Sequence, residues 1–295
     1  MALCCCGRCA MDKNELKQMV AELLREMDAP VPATDCEACS AEDLTKVDLR
    51  QTYLVENPAS GEAFLRLKKK TPARLGLGRC GARYRTMSML RFRADHAAAQ
   101  DSVFSLVKPE FYENNDLTFV QTMCKDKDQY LTRPDLGRRF DEKNQAIIRQ
   151  VCGQSPKVLL VIGDGLSSNA VTANALDCAA AIRQGLRTFG IELGKSLFIQ
   201  YARVGAMDHI GQLTHAELIC MLVGERPGLA TSESMSAYIT YQPYPGISES
   251  KRTVVSNIHK NGTPAVEAGA YIAELIGKIL QRKVSGVGLH LEEGT

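Results

Sequence analysis

Near the start of the chain, apolar positions recur at helical spacing: Leu16, Met19, Val20, Leu23, Leu24 and Met27 make one narrow stripe on an otherwise polar segment. Asp12, with Glu15 three residues on, supplies a capping arrangement in which the aspartate accepts from the first turn. Residues 29–43 contain Pro30, Pro32 and a polar run, the pattern of a linker. The pattern therefore predicts a tethered amphipathic helix within residues 1–28. Such a helix either docks on a partner's groove or lies back on its own domain, and the tether favours the partner.

Residues 44–150 read as mainly helical, with Leu49 and Tyr53 in one segment. A Gly- and Arg-rich stretch, Gly76-Leu77-Gly78-Arg79-Cys80-Gly81-Ala82-Arg83, reads as a flexible basic loop between helices. A second arginine-rich turn, residues 130–139, leads into a helix over 140–151, and its charges are expected to pair within the fold. From Lys157 the grammar changes to strand then helix. Strands are predicted over 158–162, 196–203, 218–223 and 237–241, with helices over 168–185 and 264–282, the last with Pro264 in its first turn. This alternation argues an α/β protein with a Rossmann-like, mostly parallel sheet in residues 151–295, covered by helices on both faces. Ligands of such sheets sit beyond the carboxyl ends of the strands, which singles out loops 163–168, 204–211 and 224–228.

A length of 295 residues is enough for about two domains with a sizeable core. Thirty-six Lys and Arg against 34 Asp and Glu leave a formal charge of +2, so no general excess of cation points to nucleic acid. Lys68-Lys69-Lys70 reads as a solvated face. No apolar run approaches the 18 or so residues of a membrane span, so no membrane partner is expected. Eleven cysteines, an odd number in a long chain without a signal-like start, fit a reducing compartment better than a disulfide framework. Two C-x-x-C pairs, Cys6/Cys9 and Cys36/Cys39, have zinc-ligand spacing but lie in a cysteine-rich tract and a linker. Free surface thiols are the simpler reading, and no metal site is expected. Met11 is a second candidate start after the residue 1–10 tract.

Gly163-Asp164-Gly165-Leu166-Ser167-Ser168 follows a strand and opens a helix, as a dinucleotide loop does. It lacks the third glycine, however, and Asp164 puts a carboxylate where pyrophosphate would lie. A tight strand-to-helix turn explains it better. Neither a G-x-S-x-G elbow nor an H-E-x-x-H helix occurs, and the five histidines form no cluster in sequence, so ordinary hydrolase readings lack a nucleophile or metal. Asp208-His209-Ile210-Gly211 approximates the D-x-H-x-x-G by which some corrinoid proteins ligate cobalt, but with the wrong spacing. Helix capping or hydrogen bonding suits Asp208 and His209 better.

The most specific string is Gly224-Glu225-Arg226-Pro227-Gly228-Leu229, followed by Ser232-Glu233-Ser234, Arg252-Thr253, Ser256-Asn257-Ile258-His259 and Gly262-Thr263-Pro264. With Leu131-Thr132-Arg133-Pro134-Asp135 and Gly163-Asp164-Gly165-Leu166-Ser167 upstream in order, the set closely resembles the small-subunit, or light-chain, family of ethanolamine ammonia-lyase over residues 11–289. The resemblance implies a chain that joins a large barrel subunit, with adenosylcobalamin held at their interface. It also implies an enzyme that turns ethanolamine into acetaldehyde and ammonia by radical rearrangement. Substrate-handling residues belong to the large subunit in that family, so no catalytic residue is expected on this chain. Its expected share is to hold the cofactor.

Matching motif to motif, the resemblance implies corrin contacts at Val204, Glu225 and Val254. Glu225 suits acceptance from the corrin's amide side chains, and the valines suit apolar or backbone contact. Relatives can carry cysteine at the position of Val254, a change a backbone contact would survive. Cobalamin in this family keeps its own base below the cobalt, consistent with the missing D-x-H-x-x-G. The N-terminal helix resembles the tail that directs this subunit to the lumen of bacterial ethanolamine-utilisation microcompartments, where it would meet shell or cargo. Two other readings remain at this point: a noncatalytic α/β scaffold of the same compartment, and a stand-alone NAD enzyme.

Overall fold

The computed structural model describes residues 17–18, 47–49, 51–71 and 73–291. The chain falls into two units, Met1–Lys46 and Val47–Thr295. Lys17 and Gln18 are helical; otherwise the amphipathic stripe lies outside the described residues, as do the linker and both C-x-x-C pairs.

The second unit opens with helix α1 (Gly61–Lys68) and a short antiparallel hairpin, β1 (Arg79–Cys80) and β2 (Arg83–Tyr84). That hairpin replaces the flexible loop expected there. Gly81, at φ 62°, takes the left-handed conformation that turns the chain between its strands. Helices α2 (Thr86–Phe104) and α3 (Pro109–Glu113) follow, then strand β3 (Leu117–Gln121), α4 (Lys127–Thr132) and α5 (Glu142–Cys152). The side chains of Asp126 and Asp141 cap the last two helices, accepting from Gln129 and Asn144 backbone N–H groups. The remaining elements are β4 (Val158–Asp164), α6 (Ser168–Thr188), β5 (Ser196–Gln200), α7 (Ala206–Thr214), β6 (Leu218–Gly224), β7 (Met235–Tyr241), β8 (Arg252–Ile258), α8 (Ala265–Arg282) and α9 (Val287–Leu291).

Six strands form one sheet in the order β3-β5-β4-β6-β7-β8. The pairings β3–β5, β5–β4 and β4–β6 are parallel; β6–β7 and β7–β8 are antiparallel. Strands β4 and β6 are buried at every position because helices cover both their faces, which is why their sequences are continuous apolar runs. Alternate residues sort to two cores. Leu160, Ile162, Cys220 and Leu222 pack with α6 and α8 on one face; Leu159, Val161, Ile219 and Met221 pack with α5 and α7 on the other. Each large aliphatic side chain so buried contributes roughly 1.5–3 kcal/mol of transfer free energy. Helices α6 and α8 approach closely at two glycines: a Cβ on Gly185 would stand 2.5 Å from Ala273 Cβ, and one on Gly269 would stand 2.6 Å from Ala181 Cβ.

Besides the hairpin, two strands of the six-stranded sheet were not foreseen. Residues 44–150 were expected to be mainly helical, yet β3 lies within them and pairs along its whole length with β5. Its five residues are too few to set an alternation apart from the surrounding helices. Strand β8 was missed because an edge strand shows water one side, and Val254, Ser256 and Asn257 are exposed. Strand β5 stops at Gln200, short of the expected end, because Tyr201 turns to φ 58°.

Candidate functional site

The sheet offers two places for a ligand, and the chain treats them differently. At the carboxyl end of β4, between the crossovers to β5 and β6, lies the crevice where doubly wound sheets bind ligands. Here it is filled. Asp164 is buried; one carboxylate oxygen accepts from Val107 N–H at 3.1 Å and the other from Ser168 Oγ at 2.7 Å. Burial pushes its carboxyl above the ordinary range, against the pull of the Ser168 hydrogen bond, Lys127 and the Val107 N–H. Lys127 donates to Gly165 O at 3.1 Å and lies 5.2 Å from the Tyr130 ring centroid. Desolvation lowers the pKa of this lysine despite the nearby Asp164.

Ser167 caps α6 through Ala170 N–H, meets Ser102 Oγ at 2.8 Å and donates to Ser232 O at 2.5 Å. The glycines that suggested a phosphate loop serve close packing instead. A Cβ on Gly224 would fall 2.1 Å from Ser167 O, and one on Gly165 would fall 2.7 Å from Val223 Cγ2. Of the three loops singled out from the sequence, residues 163–168 are thus occupied by protein.

The other place is the antiparallel flank. Strand β7 runs back along β6, so Met235 pairs with Gly224 and Glu225 stands at the mouth of the connection. Its carboxylate ties three strands together: Oε2 accepts from Ser234 Oγ at 2.7 Å, and Oε1 accepts from Ser236 Oγ at 2.5 Å and Asn257 N–H at 3.0 Å. Partial burial raises the carboxyl's pKa, but these three donors and nearby His259 outweigh it and hold the group below its ordinary value. A carboxylate has about four acceptor positions. Three are used, which leaves one on Oε2.

Val254 pairs with Tyr238, and Tyr238 with Met221, so all three share the face on which α5 and α7 pack. Val254 is 46% exposed, a large share for an apolar residue within a strand. Val204 is half-buried in the turn between β5 and α7 and packs against the same core. That turn is held by Arg203, which donates to Tyr130 O at 2.6 Å and stacks 4.2 Å from the Tyr130 ring centroid.

Arg252 locks the arrangement. Its side chain is 1% exposed and bidentate to Asp208, with both bonds at 2.9 Å, and its Nε donates to Glu249 at 2.6 Å. Burial opposes its charge, yet these carboxylates keep the guanidinium firmly protonated. Asp208 is in the first turn of α7, so this pair ties the loop bearing Val204 to the strand bearing Val254. The Glu225–Asn257 bond ties the third residue to the same strand. All three residues expected from the sequence therefore stand on elements joined through β8.

Sequence reasoning did not find the roles of Ser234, Ser236, Asn257 and Arg252. The available signal was the clustering of small hydroxyls and an asparagine beside a strand-end glutamate. His209 has a structural duty, its Nδ1 accepting from Phe140 N–H at 3.1 Å. The flank presents an open apolar surface beside one carboxylate with a spare acceptor, which suits holding a large amphipathic ligand that carries amide donors.

Residues 61–290 match the family model described as Ethanolamine ammonia-lyase light chain. The chain is 55% identical over 294 residues to the ethanolamine ammonia-lyase small subunit of Lachnoclostridium phytofermentans, covering 95% of this chain and 99% of that one. It is 54% identical to the small subunit of Clostridioides difficile and 49% identical to that of Listeria monocytogenes, each over 95% of this chain and 100% of the relative. The chain belongs to the ethanolamine ammonia-lyase small-subunit family.

Proposed function

We propose that this chain, as a member of that family, is the small subunit of ethanolamine ammonia-lyase and helps hold adenosylcobalamin against a large catalytic subunit. The observation that carries the cofactor assignment is the open face of β8. Val254 is 46% exposed there, on an edge joined to Glu225 through Asn257 and to the Val204 turn through Arg252 and Asp208. We read the β5-β4-β6 core as Rossmann-like, with its ligand carried on the antiparallel flank.

When bound, adenosylcobalamin supplies a cobalt–carbon bond whose homolysis starts the rearrangement of ethanolamine to acetaldehyde and ammonia. This chain's residues hold and orient. Glu225 offers its remaining acceptor to an amide N–H at the corrin edge, and its own three donors keep it ionised for that purpose. Val254 and Tyr238 give an apolar shelf, and Val204 bounds it from the α7 side. The neighbouring serines and Arg252 fix these groups before the cofactor arrives, which lowers the ordering cost of binding.

The test is acetaldehyde release from ethanolamine and adenosylcobalamin by this chain alone, a large subunit alone, and the two together. Activity only in the pair supports the subunit reading. A complex that forms and stays inactive beside a working enzyme would favour a noncatalytic scaffold, and activity from this chain alone would overturn the placement of chemistry on the partner. The segment within residues 1–28 is proposed as the signal that carries the enzyme into the lumen of a bacterial microcompartment, through contact with shell or cargo. Deleting residues 1–28 should leave activity intact and abolish encapsulation; truncated protein recovered in purified shells would refute this.

A further inference from the structure

A concavity adjoins the Val204 turn. It has a volume of about 410 Å³ and is bounded by Arg138, Arg139, Gly205, Asp208, His209 and Gln212, among others. Its charge is one-sided. Asp208, the carboxylate in its wall, is committed to Arg252 through two bonds of 2.9 Å. Asp135, upstream in the same turn, is committed to Arg133 at 2.9 and 3.0 Å. Arg138 and Arg139 are exposed and make no side-chain hydrogen bond or close ion pair among the described residues; at longer range Arg138 attracts Asp208 and Arg139 attracts Asp135, carboxylates whose close contacts go to other arginines. The sequence predicts that the arginines of this turn pair within the fold; Arg133 does so in close contact, whereas Arg138 and Arg139 meet carboxylates only at longer range.

The geometry prepares the donors. Gly205 has no side chain, so the Arg138 stem lies against the turn: a Cβ there would stand 3.1 Å from Arg138 Cδ. His209 uses Nδ1 as an acceptor from Phe140 N–H and is stacked on the Phe140 ring at 5.7 Å. That bond fixes the neutral tautomer with its proton on Nε2, a donor. Burial, with Arg139 and Arg149 nearby, disfavours protonating the ring further. Two forked cations and a ring N–H around one pocket are the chemistry that recognises a phosphate oxygen cluster.

We propose that Arg138, Arg139 and His209 form a phosphate-binding pocket, and that it receives the phosphodiester of the cofactor's nucleotide tail. The proposal rests on the cofactor reading above. Gly205 in the pocket wall directly follows Val204, so a ligand on the corrin shelf has the pocket at its edge. The phosphodiester is the one formally anionic group that cobalamin carries outside the corrin.

The test compares adenosylcobinamide phosphate, which carries a monoester at the position of that diester, with adenosylcobinamide, which carries none, in equilibrium dialysis against the assembled two-subunit complex. The wild type should bind the phosphorylated form about 10- to 100-fold more tightly, the worth of one or two charge-assisted hydrogen bonds. The double variant Arg138→Gln/Arg139→Gln should erase that preference while keeping its affinity for adenosylcobinamide. A wild type with no preference, or a variant that retains it, would overturn the pocket. Glu225→Ala separates the two readings: it should weaken both ligands alike if the corrin shelf is real. Equal affinities for Glu225→Ala and wild type would count against the shelf and leave the phosphate preference standing on its own.

Discussion

The carboxyl end of β4 and the open face of β8 lie in one sheet, yet one is closed and the other is offered. At β4, Asp164, Ser167, Lys127 and the loop carbonyls find partners within the protein, and glycines bring the backbones too close for a ligand. At β8, Val254 remains open beside a glutamate with an acceptor to spare. A crevice at the switch point of an α/β sheet is therefore only an opportunity. Here small hydroxyls and glycines fill it, and two antiparallel strands added beyond β6 offer the face on which we propose the cofactor sits.

The sharpest way to break the open side is Arg252→Met. This leaves Asp208 and the turn of α7 without their buried partner and should cost about 3–5 kcal/mol, read as a lower denaturation midpoint of the full chain. A loss below about 1 kcal/mol, the scale of an exposed pair, would show that Arg252 does not hold the flank together. The closed side is probed by Gly224→Ala, whose methyl must displace Ser167 O. A loss of about 1–3 kcal/mol is expected. Gly228→Ala, with nothing within 4 Å of the added carbon, serves as the control and should change stability by under about 0.5 kcal/mol.

A smaller effect reads the buried carboxylate of the closed side by pH. Burial raises the Asp164 pKa, so its protonated form contributes stability that is complete below the ordinary value of 3.8 and is lost as pH rises through the raised one. Asp164→Asn cannot titrate and should gain on the wild type across that window. A difference between the two proteins that stays constant with pH would contradict the account of the crevice.

Much of this was legible in the chain. The continuous apolar runs gave β4 and β6, because burial on both faces demands them. The helical periodicity and Pro264 likewise marked α8. Val204, in Ala202-Arg203-Val204, and Glu225 and Val254, in the string from Gly224 to Pro264, were expected as contacts only through resemblance, since nothing in a lone valine marks it as one. What stayed hidden depends on distant partners. Asp208 and Arg252 are 44 residues apart; the first reads as a capping or hydrogen-bonding residue and the second only as part of a motif. The closure of the crevice was equally out of reach, because Ser102 meets Ser167 across 65 residues. The edge strands β3 and β8 were lost because half-exposed strands lack the unbroken apolar run that marked the central ones.

The central claim is that the open face of β8 carries the cofactor, and Val254→Lys tests it most directly. An exposed edge position accepts lysine with little effect on folding, so adenosylcobalamin affinity can be read by equilibrium dialysis on an assembled complex of unchanged stability. The account predicts an affinity lower by about tenfold or more, from the loss of roughly 1–2 kcal/mol of apolar contact. Wild-type affinity in that variant would place the cofactor elsewhere on the chain.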